Sequence, residues 1–341
     1  FHHRLRPHSF VHAGHVESYI EPFKTFPNDC RNIVAQAEKA LQHKFSPLGG
    51  EPYEFPHAID WFGDFQGRSW LYAHVDDLQE RLQRPLDEQV AALQQMGPVE
   101  RTWNFNQLGQ FVDLGRAYWI TDNEPFASEF VVQAVDWGER NQPMYGINWL
   151  YPRMVATRAL NWTLSFLMFL GSEQLQGENL SRILRTLLYH GGYLAALLSK
   201  GCKDQLAVAA SLYLLAAHFP EFTASRRWLV LAQQSLEEGA GREFAKDGLH
   251  RSASLAMHRE ATEWLLLVAA FDITNSRAWE PLLRPLEAAV EALAYLRSPA
   301  LLGCEVGAHL CEGLLGRQAG PIEHTRRILA MAAVLLERGD F

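Results

Sequence analysis

Residues 103–149, WNFNQLGQFVDLGRAYWITDNEPFASEFVVQAVDWGERNQPMYGINW, decide how the chain is read. Apolar residues recur at helical spacing from Trp103 to Thr121 and again from Glu124 to Asn141, with the polar pair Asp122-Asn123 between them. The run closes on Gly146-Ile147-Asn148-Trp149, a turn that leads into a further helix. Two helices of this length joined by so short a link must lie antiparallel, as a hairpin.

Outward from this pair the same period continues. Helices are predicted over Tyr151–Gly171, Leu180–Lys200, Asp204–His218, Thr223–Glu238, Ser252–Phe271, Ala278–Leu296 and Ile322–Glu337, with a short one over Asp87–Met96. Gly171, Gly201, Pro220, the Gly239-Ala240-Gly241 break and Pro299 fall where helices should stop. Strand-like alternation is nearly absent, so the chain is all-α. Hairpins of this kind must bury their apolar faces in a layer or a ring; no fixed repeat period chooses between a closed ring and an open solenoid. Residues 1–85 differ in texture. They hold many prolines, one helix over residues 29–45, and loops at Pro47-Leu48-Gly49-Gly50 and Asp60-Trp61-Phe62-Gly63-Asp64. The domain reading is therefore an N-terminal arm with wrapping loops over 1–85 and a helical domain over 86–341.

The chain of 341 residues is 48% hydrophobic, enough for a sizeable core, and carries a formal charge of −8. That charge argues against nucleic acid and membrane surfaces as partners, because both require a basic face. The longest apolar stretches are too short and too polar-interrupted to span a bilayer. The chain opens Phe1-His2-His3-Arg4 with no charged-then-apolar leader, which leaves the compartment open. Cys30, Cys202, Cys304 and Cys311 contain no Cys-x-x-Cys pair and read as buried free thiols. His2, His3, His8, His12 and His15 match no rigid ligand set, so neither a metal nor a cofactor is expected.

The layout of residues 103–149 resembles the toroid domain of heparinase II/III-like polysaccharide lyases: an aromatic-led helix with Ala117-Tyr118, a Trp-bearing helix at Trp137, and a Gly-x-Asn-Trp turn. Phe219-Pro220-Glu221-Phe222 matches that family's continuation and fixes the register of a second segment. The resemblance implies an incomplete α/α toroid built from antiparallel helix hairpins, with a loop-rich N-terminal segment. It also implies an acidic, uronate-containing polysaccharide as partner, a periplasmic or secreted location, and a β-sandwich domain supplying one catalytic His from outside this chain.

Such lyases act by β-elimination, in which the uronate carboxylate must be neutralised before the proton beside it can be removed. The family's Asn-His pair is represented by Asp204-Gln205, and its Ser-x-x-Tyr-His by Ser254-Leu255-Ala256-Met257-His258. The candidate catalytic residues are accordingly Asp204, Gln205 and His258. An ionised Asp204 would repel a uronate unless its pKa were raised; its simpler reading is as the cap of its helix. Met257 has no transferable proton, which leaves His258 either as acid-base group or as a hydrogen-bonded structural residue. The family's Trp-Glu-x-x-Arg becomes Trp103-Asn104-Phe105-Asn106-Gln107, with both charges replaced by amides. Trp103, Asn104, Asn148, Trp149, Tyr151, Arg153, Arg158 and His190 are the candidate sugar-binding residues, since aromatic faces suit sugar rings and Arg forks suit carboxylate or sulfate; core packing is the competing reading for each aromatic. Arg182 and Arg185, like Arg226 and Arg227, read as solvated helix faces partnered by Glu178, Glu237 and Glu238.

The function expected is engagement of an acidic polysaccharide with elimination weakened or lost. Its alternatives are an active lyase using Asp204 and His258, a glycoside hydrolase pairing Asp204 with Asp247 or Glu260, and a helical protein-interaction scaffold.

Overall fold

The computed structural model describes residues 11, 14, 16–70, 99–275, 279–296 and 320–341. The expected helix over 87–96, the domain boundary at 85/86, the histidines at positions 2, 3, 8, 12 and 15, Pro299, Cys304 and Cys311 lie outside the described residues. Among the described residues twelve α-helices and two strands follow in chain order: α1 (Val16–Thr25), α2 (Pro27–Leu41), β1 (Lys44–Phe45), β2 (Tyr53–Glu54), α3 (Val99–Phe105), α4 (Gly109–Thr121), α5 (Glu124–Arg140), α6 (Pro152–Met168), α7 (Gly177–Lys200), α8 (Gln205–His218), α9 (Ser225–Glu243), α10 (Leu255–Thr274), α11 (Glu280–Tyr295) and α12 (Pro321–Leu335). The fold is all-α, as its periodicity predicts; β1 and β2 form only a two-residue antiparallel ladder.

Two compact units divide the chain, Val11–Tyr193 and Leu194–Phe341. In the first, α4 packs against α2, α5 and α6. In the second, α8 pairs with α9 and α10, and α10 with α11 and α12. Helices α6 and α8 explain why these contacts form. From Met154 to Met168 and from Gln205 to His218 every residue is buried; α8 is apolar on nearly every side and cannot present a face to water, whereas α6 also buries Arg158 and Asn161. Polar residues inside them turn back on the backbone: Ser165 donates to the Asn161 carbonyl at 2.6 Å, and the His218 ring bonds the Leu214 carbonyl at 2.7 Å.

Helix α1 falls in the arm, where the sequence predicts only one helix, and the expected helix over 29–45 runs instead over Pro27–Leu41. Two further differences lie in the helical region. The helix expected over Trp103–Thr121 is broken at Leu108, whose φ of +56° ends α3 and opens α4. Left-handed backbone costs a non-glycine residue about 1–2 kcal/mol, offset here by complete burial of the Leu108 side chain. The break expected at Gly239-Ala240-Gly241 does not occur, and α9 runs on to Glu243. Gly239 instead admits a close neighbour: a Cβ placed there would lie 3.4 Å from the Leu206 backbone. Cys30 and Cys202 are free thiols, as expected, but half-buried rather than buried, and no helix among the described residues is long and apolar enough to cross a membrane.

Candidate functional site

In the first unit the sugar-binding candidates converge, but inward. Arg158, on α6, is fully buried. Its Nε donates to His190 Nε2 at 2.9 Å and its Nη1 to the Asn106 carbonyl at 3.3 Å, while the guanidinium lies 4.6 Å from the Trp137 ring and 5.2 Å from Trp149. Burial lowers the Arg158 pKa to about 9, and Nη2 has no hydrogen-bond partner. His190, equally buried, accepts from Arg158 at Nε2, so its proton sits on Nδ1 and is donated to the Thr186 carbonyl at 2.8 Å. Burial, then the neighbouring Arg158 charge, push its pKa well below the ordinary histidine value. Rings of Trp137, Trp149 and Trp162 surround His190 at 4.8–5.5 Å.

Loop and turn residues tie into this cluster. Asn148 donates to the Trp61 carbonyl at 3.0 Å and to Asn141 Oδ1 at 2.8 Å, and Asn106 donates to the same Trp61 carbonyl at 2.8 Å while accepting from Trp137 Nε1 at 2.9 Å. Trp103 donates to the Ile147 carbonyl at 3.0 Å and stacks on half-buried Tyr151, ring centres 5.4 Å apart. Asn104 accepts from the Leu48 N–H at 3.1 Å, and Arg153 is half-buried at the start of α6. Thus Trp103, Asn148, Trp149, Arg158 and His190 form interior structure, while Asn104, Tyr151 and Arg153 retain partial exposure. The side-chain amides at 104 and 106 bond the loops of residues 47–63, and the Gln107 amide donates to Met154 Sδ on α6 at 3.2 Å.

The catalytic candidates lie in the second unit. Asp204 precedes α8 but makes no capping bond through its side chain. The expected cap is supplied from elsewhere: Glu243, the last residue of α9, accepts the Leu206 N–H at 3.3 Å. Gln205 donates to the Ser235 carbonyl and to Glu238 at 3.3 and 3.2 Å. Cys202 lies in the field of Asp204 and Glu243; burial first, then these two charges, raise its pKa to about 11.

His258 is buried on α10 with both ring nitrogens bonded to backbone. Nδ1 accepts the His250 N–H at 3.2 Å, and Nε2 donates to the Ala289 carbonyl at 2.9 Å. Burial lowers its pKa, the Ala289 bond works against that shift, and the charges of His250 and Arg259 add to it. The ring therefore stands neutral. Ser254 caps α10 by accepting the Met257 N–H. Contacts through Glu243 and His250 connect the start of α8 to His258, so Asp204 and His258 belong to one neighbourhood.

That neighbourhood is shaped by a tight hairpin between α9 and α10. Phe244 pairs with His250 across an antiparallel bridge, and Gly248 turns the tip at φ +83°. A Cβ on Gly248 would fall 2.0 Å from the Ala288 carbonyl oxygen, so the tip is pressed directly on α11. The pairing brings together Glu243, His250 and Ser252, none of which the sequence reading singled out. An Asp-Gly tip flanked by Glu and His was the available signal. Among the described residues no group of three or more His, Cys, Asp or Glu is arranged to hold a metal ion.

Helical hairpins of this order, with a Gly-x-Asn-Trp turn buried in the first unit and a Ser-capped helix in the second, define an all-α domain of the α/α-toroid class found in polysaccharide lyases. The heparinase II/III N-terminus family matches residues 28–280, and the chain belongs to the heparinase II/III family. It is similar to a solved structure of heparinase III (18% identity, TM-score 0.61, covering 81% of this chain and 40% of that one). It is also similar to heparan sulfate lyase HepC from Pedobacter heparinus (19% identity, TM-score 0.58, covering 79% and 39%). The chain thus spans about two fifths of the length of these solved lyases. No curated protein matches.

Proposed function

We propose that this chain is a heparinase-type helical domain that engages an acidic, uronate-containing polysaccharide and performs elimination weakly or not at all. The state of His258 carries the reading. At the position where the family keeps a His beside its catalytic Tyr, this chain has a buried neutral imidazole with both nitrogens bonded to backbone, next to Met257. An acid-base group must reach the proton it moves, and this ring has no free nitrogen to do so. Asp204, in the place of the neutralising Asn, would add negative charge beside a uronate carboxylate, which disfavours binding the reacting sugar in that spot. Binding is therefore assigned to the partly exposed Asn104, Tyr151 and Arg153.

The hydrolase alternative receives less support. Asp247 is exposed and accepts its own turn's Leu249 N–H, and Glu260 is buried.

The test is to incubate the protein with heparan sulfate, hyaluronan and alginate and follow the ultraviolet absorbance of unsaturated sugar ends, while measuring retention on the same polymers immobilised. The expected result is retention that falls at least several-fold in Arg153→Ala, with no absorbance above the blank. Robust absorbance lost in His258→Ala would overturn the weak-catalysis reading; no retention on any of the three would overturn the binding reading.

A further inference from the structure

Glu243, His250 and Ser252 form a directed hydrogen-bond chain that ends at the protein surface. His250 Nδ1 lies 2.7 Å from Ser252 Oγ, and His250 Nε2 lies 3.4 Å from Glu243 Oε2. The donor directions can be assigned from the neighbours. The Ser252 N–H donates to His250 Nδ1 at 3.2 Å, which makes that nitrogen an acceptor and places the ring proton on Nε2, facing Glu243. The Ser254 N–H donates to Ser252 Oγ at 3.3 Å, so the hydroxyl proton points to the imidazole. Carboxylate, imidazole and hydroxyl are thus ordered as an imidazole base oriented by a carboxylate, with the Ser252 hydroxyl at 2.7 Å and the Ser252 N–H at 3.2 Å both directed at its acceptor nitrogen.

The backbone enforces this order. The Phe244–His250 bridge fixes the ring opposite the end of α9, and the Arg251 N–H donates to the Glu243 carbonyl at 2.8 Å. The Ala253 N–H donates to the His250 carbonyl at 3.1 Å, and Ala253 itself takes φ +55°, so the turn carrying Ser252 is held in a conformation an alanine rarely adopts. His250 is buried, whereas Ser252 is exposed. This contrasts with His258, whose nitrogens both end on backbone.

We propose that Ser252 is an activated nucleophile and that this site cleaves small carboxylic esters by acyl transfer, independently of any polysaccharide elimination. Ser252 Oγ bonds to the acyl carbon as its proton passes to His250 Nδ1. The ester C–O bond then breaks and the leaving alkoxide takes that proton. Water attacks the acyl-serine, giving its proton to His250, which returns it to Ser252 Oγ; the products are one carboxylic acid and one alcohol. Glu243 balances the charge that develops on the imidazole while it holds the proton.

The probe is a biotinylated fluorophosphonate, with p-nitrophenyl acetate as turnover substrate, applied to the full chain. Peptide mapping should place one covalent adduct on Ser252. The adduct should be absent in Ser252→Ala and should form about 100-fold more slowly or less in His250→Gln, in keeping with loss of a general base. Glu243→Gln should slow it less, and Ser199→Ala, an exposed serine on α7 that bonds only the Ala195 carbonyl, should leave labelling unchanged. Circular dichroism checks that each variant is folded. A wild-type protein left unlabelled, an adduct on a different serine, or equal labelling of a folded His250→Gln would each overturn the proposal. The polymer-retention assay is unaffected by any of these outcomes.

Discussion

Around Arg158 the first unit seals its polar groups behind three indole rings; along Glu243, His250 and Ser252 the second unit leads them out to solvent. Both clusters contain a histidine bonded on two sides. In the first, His190 sits between an arginine and a carbonyl with no route to water. In the second, His250 sits between a carboxylate and an exposed hydroxyl. A hydrogen-bonded histidine is thus not in itself a sign of chemistry. What separates the two is where the chain of donors ends: on backbone it fixes the fold, and on an exposed reactive atom it can move a proton.

The sharpest way to break this contrast is Trp149→Ala. Trp149 is fully buried and touches Trp137, His190, Tyr193 and Arg158. Removing a buried indole typically costs about 3–5 kcal/mol, so the urea midpoint should fall steeply. Loss of polysaccharide retention with an unchanged midpoint would show instead that this ring is a sugar platform, and the first cluster would cease to be purely structural.

From residue 103 onward helix existence was legible in the sequence because apolar period and Gly or Pro punctuation are local signals, whereas α1 in the proline-rich arm and the break at Leu108 were not. Gly239 shows where that logic stops. A glycine serves as a helix end or as a place for a neighbour to approach, and only the presence of Leu206 against it decides. Taking it as an end placed Glu243 in a loop and hid that it terminates α9 facing His250. In the same way Asp204 has the chemistry of a cap, yet the Leu206 N–H is capped by Glu243, 37 residues beyond Leu206, which no reading of adjacent residues can supply. The aromatic candidates were found as a group and core packing was weighed for each, but which of them are buried was not decided, because a Trp at a helix start looks the same whether it faces sugar or core.

Gly248→Ala acts on the second cluster alone. The new Cβ would meet the Ala288 carbonyl at 2.0 Å and would sit on a backbone with φ +83°. Left-handed strain and overpacking together cost about 2–4 kcal/mol. Because the hairpin aligns His250 with Glu243, fluorophosphonate labelling should fall with stability. Labelling that persists at full rate in this variant would mean that the hairpin does not set the geometry, and that the order of the second cluster has another source.

The smallest effect expected is in the pH dependence of stability, and it weighs the two units against each other. His190 and His258 both have folded pKa values below their unfolded value near 6.5. Above that pH neither state carries their protons, and stability is unaffected. As pH falls below about 6.5 the unfolded chain takes up protons that the folded chain refuses, so stability declines by up to about 1.4 kcal/mol per pH unit for each group until its folded pKa is reached. His190 is depressed well below the ordinary value by burial together with the adjacent Arg158, whereas the bond to Ala289 partly counters the depression of His258. In urea titrations between pH 7 and 5, His190→Gln should therefore flatten the slope at least as much as His258→Gln, and it should continue to do so to lower pH. If His258→Gln removes the larger share, the second unit's histidine is the more deeply committed to its neutral form, and the distinction between a sealed first cluster and an open second one would have to be drawn at His250 alone.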